Sequence, residues 1–297
     1  MPTLQIVSAR PLSGKTTVAV SLAQGIAERG GRVRLVRAGT GNAANEDAVT
    51  FLDCMFATSL GEPVTTPAPA AAGETVILEV DAGGALDGLP AIVVVRGAST
   101  AEDVTLAKSL GERLVGTIAV AVAARSVEDV GRDLTNTGMH PLAVTTEDRT
   151  LAAPSVDEIR DALGARVLYA GENEREVVED VLIAPIYADP AQPHFRRFAS
   201  KAVLAPFNKT DLHLAAIETQ AACLVITGGR DPSPYVIDRA QGEATTILLA
   251  PQRTAETVAA LSEVWLTSRF RGDRKTAAAA RIRDQIDFQS LTKKIEA

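Results

Sequence analysis

Aromatic side chains and runs of positive charge are both scarce in this 297-residue chain. Phenylalanine, tryptophan and tyrosine make up 4% of the residues, the formal net charge is −7, and no run of Lys or Arg is longer than two. A protein that binds nucleic acid needs a basic surface and, for single strands, aromatic platforms on which bases stack. The composition therefore argues against nucleic acid as a partner.

Cysteine, histidine and long apolar runs are scarce as well. The two cysteines, Cys54 and Cys223, lie far apart and the three histidines are scattered, so neither a disulfide framework nor a zinc site is expected. No apolar segment approaches the roughly 20 residues that span a bilayer. The N-terminus leads into an apolar run without the basic region or the cleavage site of a secretory signal. The sequence therefore predicts a cytoplasmic protein with no membrane partner.

Apolar strand-like runs alternate with amphipathic helical stretches along most of the chain. Such alternation is typical of βαβ units, which build a parallel sheet with helices on both faces. We expect an α/β protein with a first domain at residues 1–150, a smaller α/β domain at 151–265, and a helical tail at 266–297 that packs on the second domain or on a partner. Within the second domain the pattern predicts a helix over 174–182. A proline-rich stretch, 62–74, is expected to be a surface connection.

The most informative motif is an apolar strand, a loop that ends in Gly-Lys-Thr-Thr, and an apolar helical pattern directly after it. This is the context of a phosphate-binding loop, in which backbone N–H groups and the positive helix end face the phosphates, the lysine reaches the terminal phosphates and the threonine hydroxyl ligates Mg²⁺. The alternative is an ordinary strand-to-helix turn that contains Gly-Lys. We predict nucleotide contacts from Arg10, Ser13, Gly14, Lys15, Thr16 and Thr17.

The loop departs from the usual G-x-x-x-x-G-K-[ST] pattern at one position. Ala9 stands where the first glycine is usual, so the backbone has lost the freedom to adopt a positive φ there. Phosphate binding remains the leading interpretation, but hydrolysis does not follow from it. We expect at most a slow ATPase, with turnover well below the typical enzyme range of about 1–10³ per second.

Charged side chains follow the neighbouring strands. Asp81 comes directly after an apolar strand and just before a glycine turn, and ligands of open α/β sheets bind at the carboxyl ends of the strands. We therefore predict that Asp81, rather than Glu79, joins Thr16 at a Mg²⁺ site. The alternative is a carboxylate that caps the turn. Arg37 follows the second strand, where it either contacts a phosphate or an anionic substrate or is a solvated strand-end arginine.

Several blocks of the sequence are similar to a known family. Their order resembles the dethiobiotin-synthetase-like plus DRTGG region that precedes the catalytic domain of long phosphotransacetylases and also occurs alone. The blocks are the phosphate loop, Asn45-Glu-Asp47-Ala-Val, the acidic strand end, Leu151-Ala-Ala-Pro-Ser-Val and Cys223-Leu-Val-Ile-Thr-Gly-Gly.

The resemblance implies a P-loop NTPase-like parallel-sheet domain followed by a smaller α/β DRTGG domain. It implies a nucleotide-binding regulatory protein that takes ATP or another nucleotide with Mg²⁺, a small metabolite at the DRTGG domain, and self-association through that domain as a homodimer or higher oligomer. Because the chain ends at Ala297, the acetyltransferase domain and its chemistry are expected to be missing.

Departures from the family pattern bear on activity. Synthetase relatives carry a lysine after the second strand and an asparagine near the end of a later strand, and this chain has Arg37 and Val120 there. Arginine is a permanently charged fork that cannot act as a base, and valine cannot hydrogen-bond a nucleotide base. In the DRTGG half, a Gly-Gly-Asp-Arg turn is replaced by residues 206–209, which suggests an altered ligand site.

Two classes of function remain. A nucleotide-binding regulatory or sensor protein is favoured over an ATP-dependent ligase or amide synthase that activates a carboxylate by phosphorylation. A degenerate scaffold that binds nothing is a third alternative, and the complete Gly14-Lys15-Thr16 triplet argues against it.

The helical pattern over 211–220 suggests an interface. Small and apolar residues recur along it at helical spacing, and small side chains let a partner approach closely. We expect this face to join the subunits through the second domain; the alternative is that it packs on the domain's own sheet. The residues are Leu212, Ala215, Ala216 and Thr219.

Overall fold

The computed structural model describes residues 3–39, 41–56, 70–171, 177–184, 188–243 and 245–296. They form two units, the first from Met1–Asp148 and Lys275–Ala297 and the second from Arg149–Arg274. The expected α/β class is confirmed, because each unit is built on its own sheet. Most of the predicted proline-rich connection lies outside the described residues. Within those residues, no helix has both the length and the apolar character needed to cross a membrane.

The first unit is built on a six-stranded, wholly parallel sheet with the strand order β2-β3-β1-β4-β5-β6. Its inner strands are apolar along nearly their whole length, as expected for strands that are buried on both faces. In chain order the elements are β1 (Thr3–Val7), α1 (Lys15–Glu28), β2 (Arg32–Arg37), α2 (Asn42–Asp53), β3 (Glu74–Glu79), β4 (Ala91–Arg96), α3 (Ala101–Leu110), β5 (Leu114–Val122), α4 (Val127–Asn136) and β6 (Pro141–Thr146).

The second unit is built on a five-stranded sheet with the order β7-β11-β10-β9-β8, in which only β7 runs antiparallel to its neighbour among the described strands. Its elements are α5 (Arg149–Ala152), α6 (Val156–Leu163), β7 (Arg166–Tyr169), β8 (Asp180–Ile183), α7 (Ala188–Phe195), β9 (Lys201–Pro206), α8 (Thr210–Glu218), β10 (Cys223–Thr227), α9 (Pro234–Glu243), β11 (Thr246–Ala250), α10 (Thr254–Leu261) and α11 (Val264–Thr267).

The helix predicted over 174–182 is wrong. Residues 172–176 lie outside the described residues, and 180–183 form β8, which pairs in parallel with β9. Branched and bulky side chains such as Val181 and Ile183 fit a pleated strand, and pairing with β9 outweighs the weak helical pattern.

The helical tail consists of α12 (Asp273–Arg283) and α13 (Phe288–Glu296). From Lys275 onward it belongs to the first unit, so the expectation that this part packs on the second domain is wrong. Packing of the tail on a partner stays a prediction. Ile282, Ile286 and Leu291 are buried there, and α13 lies against β5 and β6. The tail thus supplies part of the helical layer that covers the first sheet.

The interface predicted on α8 is also wrong in its location. Leu212, Ala215 and Ala216 are buried in the core of the second unit, together with residues of the sheet and of α9. The small alanine side chains let α8 approach its own sheet closely, which is the alternative that the sequence left open. This face is therefore not available to a partner.

Candidate functional site

The loop between β1 and α1 ends on a glycine that the geometry requires. Gly14 is the N-cap of α1 and has φ 89° and ψ 20°, a left-handed conformation that favours glycine. A Cβ added at Gly14 would lie 3.0 Å from Cγ2 of Val120, which is itself buried. Because Gly14 has no side chain to cap the helix, the N–H groups of the first turn of α1 are not covered from their own N-cap. This geometry suits an anion at the helix N-terminus.

Hydrogen bonds from side chains hold the loop in shape. The Ser8 and Ser13 hydroxyls both donate to the Arg10 carbonyl oxygen, at 2.7 and 2.8 Å. Lys15 Nζ donates to Ser8 Oγ at 2.9 Å. Burial lowers the pKa of Lys15, and the nearby carboxylate of Glu79 opposes that shift. The Lys15 amino group is thus held beside the loop, and its contact with a phosphate stays a prediction.

Glu79 contributes a buried carboxylate beside the first turn of α1. Thr16 Oγ1 donates to Glu79 Oε1 at 3.2 Å. Glu79 Oε2 is buried and accepts no hydrogen bond from any residue that the structure describes. Burial raises the pKa of Glu79 to about 7, and the negative charge of Asp47 adds to the shift. A buried carboxylate oxygen without a partner calls for an explanation, and a hard cation that takes oxygen ligands is one.

Asp81 lies apart from this contact. Its Oδ1 is 2.6 Å from Nη2 of Arg37, and its side chain is 59% exposed. Strand β3 ends at Glu79, so Asp81 stands on the loop beyond the strand. Metal ligation by Asp81 stays a prediction, but the structure brings Glu79 into contact with Thr16, so Glu79 is the better candidate.

Arg37 ties three parts of the first unit together. Its Nε donates to Asp47 Oδ2 at 3.0 Å, its Nη2 to Asp81, and its Nη1 to the carbonyl oxygens of Ala38 and Glu79. Burial alone would lower the pKa of Arg37, but the surrounding carboxylates, above all Glu79, raise it overall. The solvated alternative is wrong, because Arg37 is buried. A phosphate or substrate contact from Arg37 stays a prediction, and in this structure its guanidinium bonds protein carboxylates and carbonyl oxygens instead.

Two remaining loop residues lie at the edge of this cluster. Arg10 Nη2 is 3.6 Å from Asp103 Oδ2, and Arg10 is partly exposed. Asp103 is also engaged in a capping box with Thr100 at the start of α3. Thr17 lies in the first turn of α1. Nucleotide contacts from Arg10 and Thr17 stay predictions.

The sequence interpretation missed two residues of this cluster as site residues. The sequence marks Asp47 only as part of a family-like block, although an acidic side chain midway along α2, the helix that follows β2, is a usable signal. Ser8 follows the last apolar residue of β1, and a single serine at a strand end carries no signal of its own.

The raised pKa of Glu79 predicts a pH-dependent stability. The unfolded glutamate ionises near 4.5 and the folded one near 7, so the folded state keeps a proton that the unfolded state releases between those values. The free energy of unfolding therefore falls as pH rises through that interval. Glu79→Gln is expected to remove this part of the fall, as measured by urea unfolding across the interval. The exposed Glu102→Gln serves as control, and a wild-type pH profile in the Glu79 variant would contradict the assignment.

Comparison with known proteins bears mainly on the second unit. Residues 158–264 match the family model of the DRTGG domain. The chain is 28% identical over 167 residues to the phosphate acetyltransferase of Nitratidesulfovibrio vulgaris (strain Hildenborough). The aligned residues make up 51% of this chain and 23% of that enzyme. The chain thus matches about a quarter of that relative's length.

Two solved structures show only distant likeness. The CBS and DRTGG domains of the regulatory region of Clostridium perfringens pyrophosphatase, in complex with the activator diadenosine tetraphosphate, align at 17% identity and a TM-score of 0.32, over 48% of this chain and 70% of that one. Helicobacter pylori folylpolyglutamate synthetase aligns at 9% identity and a TM-score of 0.26, over 90% of each chain. Scores this low assign no residue a role. The second unit, with its match over 158–264, carries a DRTGG domain.

Proposed function

We propose that the first unit binds a nucleotide through the loop at 8–14 and the first turn of α1, with Mg²⁺ held by Thr16 and Glu79. The observation that carries this proposal is the meeting of Lys15, Thr16 and the unpartnered Glu79 Oε2 at a helix N-terminus capped by glycine. Lysine and the loop N–H groups would bind the phosphates.

The residues present fit a magnesium ion held jointly with the nucleotide. No group of three or more His, Cys, Asp or Glu side chains within the described ranges is placed to hold a metal by itself. Mg²⁺ commonly takes only one or two protein oxygens and completes its shell with phosphate oxygens and water. Bound there, it would neutralise phosphate charge, while Lys15 and α1 orient the phosphates.

A regulatory role is favoured over the ATP-dependent ligase or amide synthase. Such an enzyme must also hold an anionic acceptor beside the nucleotide, and Arg37 was the cation proposed for it. Arg37 is buried, and its donors are engaged by Asp47, Asp81 and backbone carbonyls. We therefore rank the ligase second, because Arg37 is not positioned here to bind an anionic acceptor substrate.

The second unit supports the regulatory proposal through its family match. A DRTGG domain and partial similarity to a phosphate acetyltransferase suit a chain that senses rather than catalyses. We propose that this domain takes a small metabolite and contributes to self-association, through a surface other than the buried face of α8.

Nucleotide screening tests the proposal. The purified chain is expected to carry a nucleotide that mass spectrometry identifies. The midpoint temperature of its thermal unfolding is expected to rise when ATP, ADP or GTP is added with Mg²⁺. A ligand at 100 times its Kd stabilises by about 2.7 kcal/mol. Light scattering on the same samples is expected to give an oligomer.

Absence of any stabilisation at millimolar nucleotide would refute nucleotide binding. Steady-state hydrolysis within the range of about 1–10³ per second, without a partner, would move the protein into the enzyme class.

A further inference from the structure

One face of α1, the helix that begins at the proposed phosphate site, is covered by the C-terminal segment 275–296. The α1 residues that meet this segment recur at spacings of three and four, so they form a single stripe along the helix. We call this set the α1 stripe: Ser21, Gln24, Gly25, Glu28 and, directly after the helix, Arg29.

Polar contacts fix α12 along the stripe. The Ser21 hydroxyl proton is shared between the Thr17 carbonyl oxygen of its own helix, at 2.8 Å, and the buried Ala279 carbonyl oxygen, at 3.0 Å. Gln24 Nε2 donates to the Thr276 carbonyl oxygen at 2.9 Å. Glu28 pairs with Arg283 further along. In both hydrogen bonds to α12 the acceptor is a backbone carbonyl oxygen, so they depend on where α12 lies and not on which side chains it carries there.

A close approach fixes α13 at the same stripe. A Cβ added at Gly25 would lie 2.0 Å from Cζ of Phe288, so only glycine leaves room for this ring. The ring is buried, and the Arg29 guanidinium lies 4.0 Å from its centroid. Glycine within a helix weakens the helix, and here that loss is offset by a contact with the tail.

We propose that segment 275–296 is a strap whose docking on the α1 stripe is coupled to nucleotide binding at the other end of α1. The helix has 14 residues and is about 21 Å long, so both events act on one rigid element. Phosphates bind its first turn only if α1 holds its position against the sheet, and the strap fixes that position. Coupling is reciprocal, so the nucleotide also favours the docked strap. This inference rests on the proposed function.

Gly25→Ala tests the coupling, with Gly131→Ala as the matched control. Gly131 lies within α4 of the same unit, and a Cβ there would meet nothing closer than 3.9 Å. Gly25→Ala is expected to speed hydrogen exchange in 275–296 and to weaken MgATP binding about fivefold or more, the lower end of typical coupling. The control should change neither.

Phe288→Ala removes the ring without altering α1 and is expected to weaken MgATP binding in the same way. In the wild type, saturating MgATP is expected to slow exchange in 275–296. The coupling alone is overturned if both variants bind MgATP with wild-type affinity, or if MgATP does not change the hydrogen-exchange rate of 275–296. Failure of the wild type to bind any nucleotide overturns the proposed function and the coupling with it. If Gly25→Ala fails to fold, Phe288→Ala decides.

Discussion

Lys15→Ala is expected to weaken MgATP binding about 100-fold, which corresponds to about 2.7 kcal/mol, while the chain stays folded. The ammonium group lies at the start of α1, where it would meet the terminal phosphates. Its hydrogen bond in the structure goes to Ser8, and burial lowers its pKa. The charged lysine therefore adds little to folding, and its removal mainly costs ligand binding.

Equilibrium dialysis with labelled ATP measures this effect, and circular dichroism checks the fold. Lys108→Ala, on the exposed side of α3, removes an equal charge from the same unit and is expected to bind like the wild type. Affinity of Lys15→Ala within about threefold of the wild type, or about 0.7 kcal/mol, would contradict the phosphate-loop assignment.

Arg37→Ala is expected to destabilise the first unit by about 3 kcal/mol or more, because removing one partner of a buried ion pair leaves uncompensated charge. Asp47 and Asp81 would lose their shared cation, and the buried Glu79 would face them without it. Asp81 remains solvated, so the effect is expected at the lower end of the range for buried pairs.

Arg34→Ala is the matched control for this effect. Arg34 lies on the same strand and pairs with Glu74 at 3.3 Å, and its side chain is 22% exposed against 5% for Arg37. Because water reaches the Arg34 guanidinium, we expect its loss to cost about 1 kcal/mol. Urea unfolding of the two variants measures the difference. Equal destabilisation would show that Arg37 is not the internal tie described above.

Local patterns predicted the sheet and the loop because both depend on neighbours in sequence. Apolar runs buried on both faces identified the first sheet, and Gly14-Lys15-Thr16 marked the start of α1. The sequence could not show that Glu79, and not Asp81, contacts Thr16, and the reason is physical. The end of an apolar run gives a residue's place along the strand, but not which side chain meets α1 once the strand stops at Glu79.

Contacts between segments that are far apart in the chain could not be predicted from the sequence. Arg37 meets Asp81 across 44 residues, and no local pattern reports that pairing. The tail has an apolar face, but the elements that pack against it are α1, β5 and β6, which are more than 100 residues away in the chain. The alanines of α8 were compatible with a partner or with the helix's own sheet, and small side chains favour close packing in either case.

Calorimetric titration of ATP into the full chain, with and without Mg²⁺, tests the central claim most directly. We expect saturable binding of one nucleotide per chain, weaker when Mg²⁺ is omitted, and a smaller Mg²⁺ effect in Glu79→Gln, because Glu79 Oε2 is the oxygen proposed to face the ion. A flat titration at millimolar ATP with a folded protein would contradict the account.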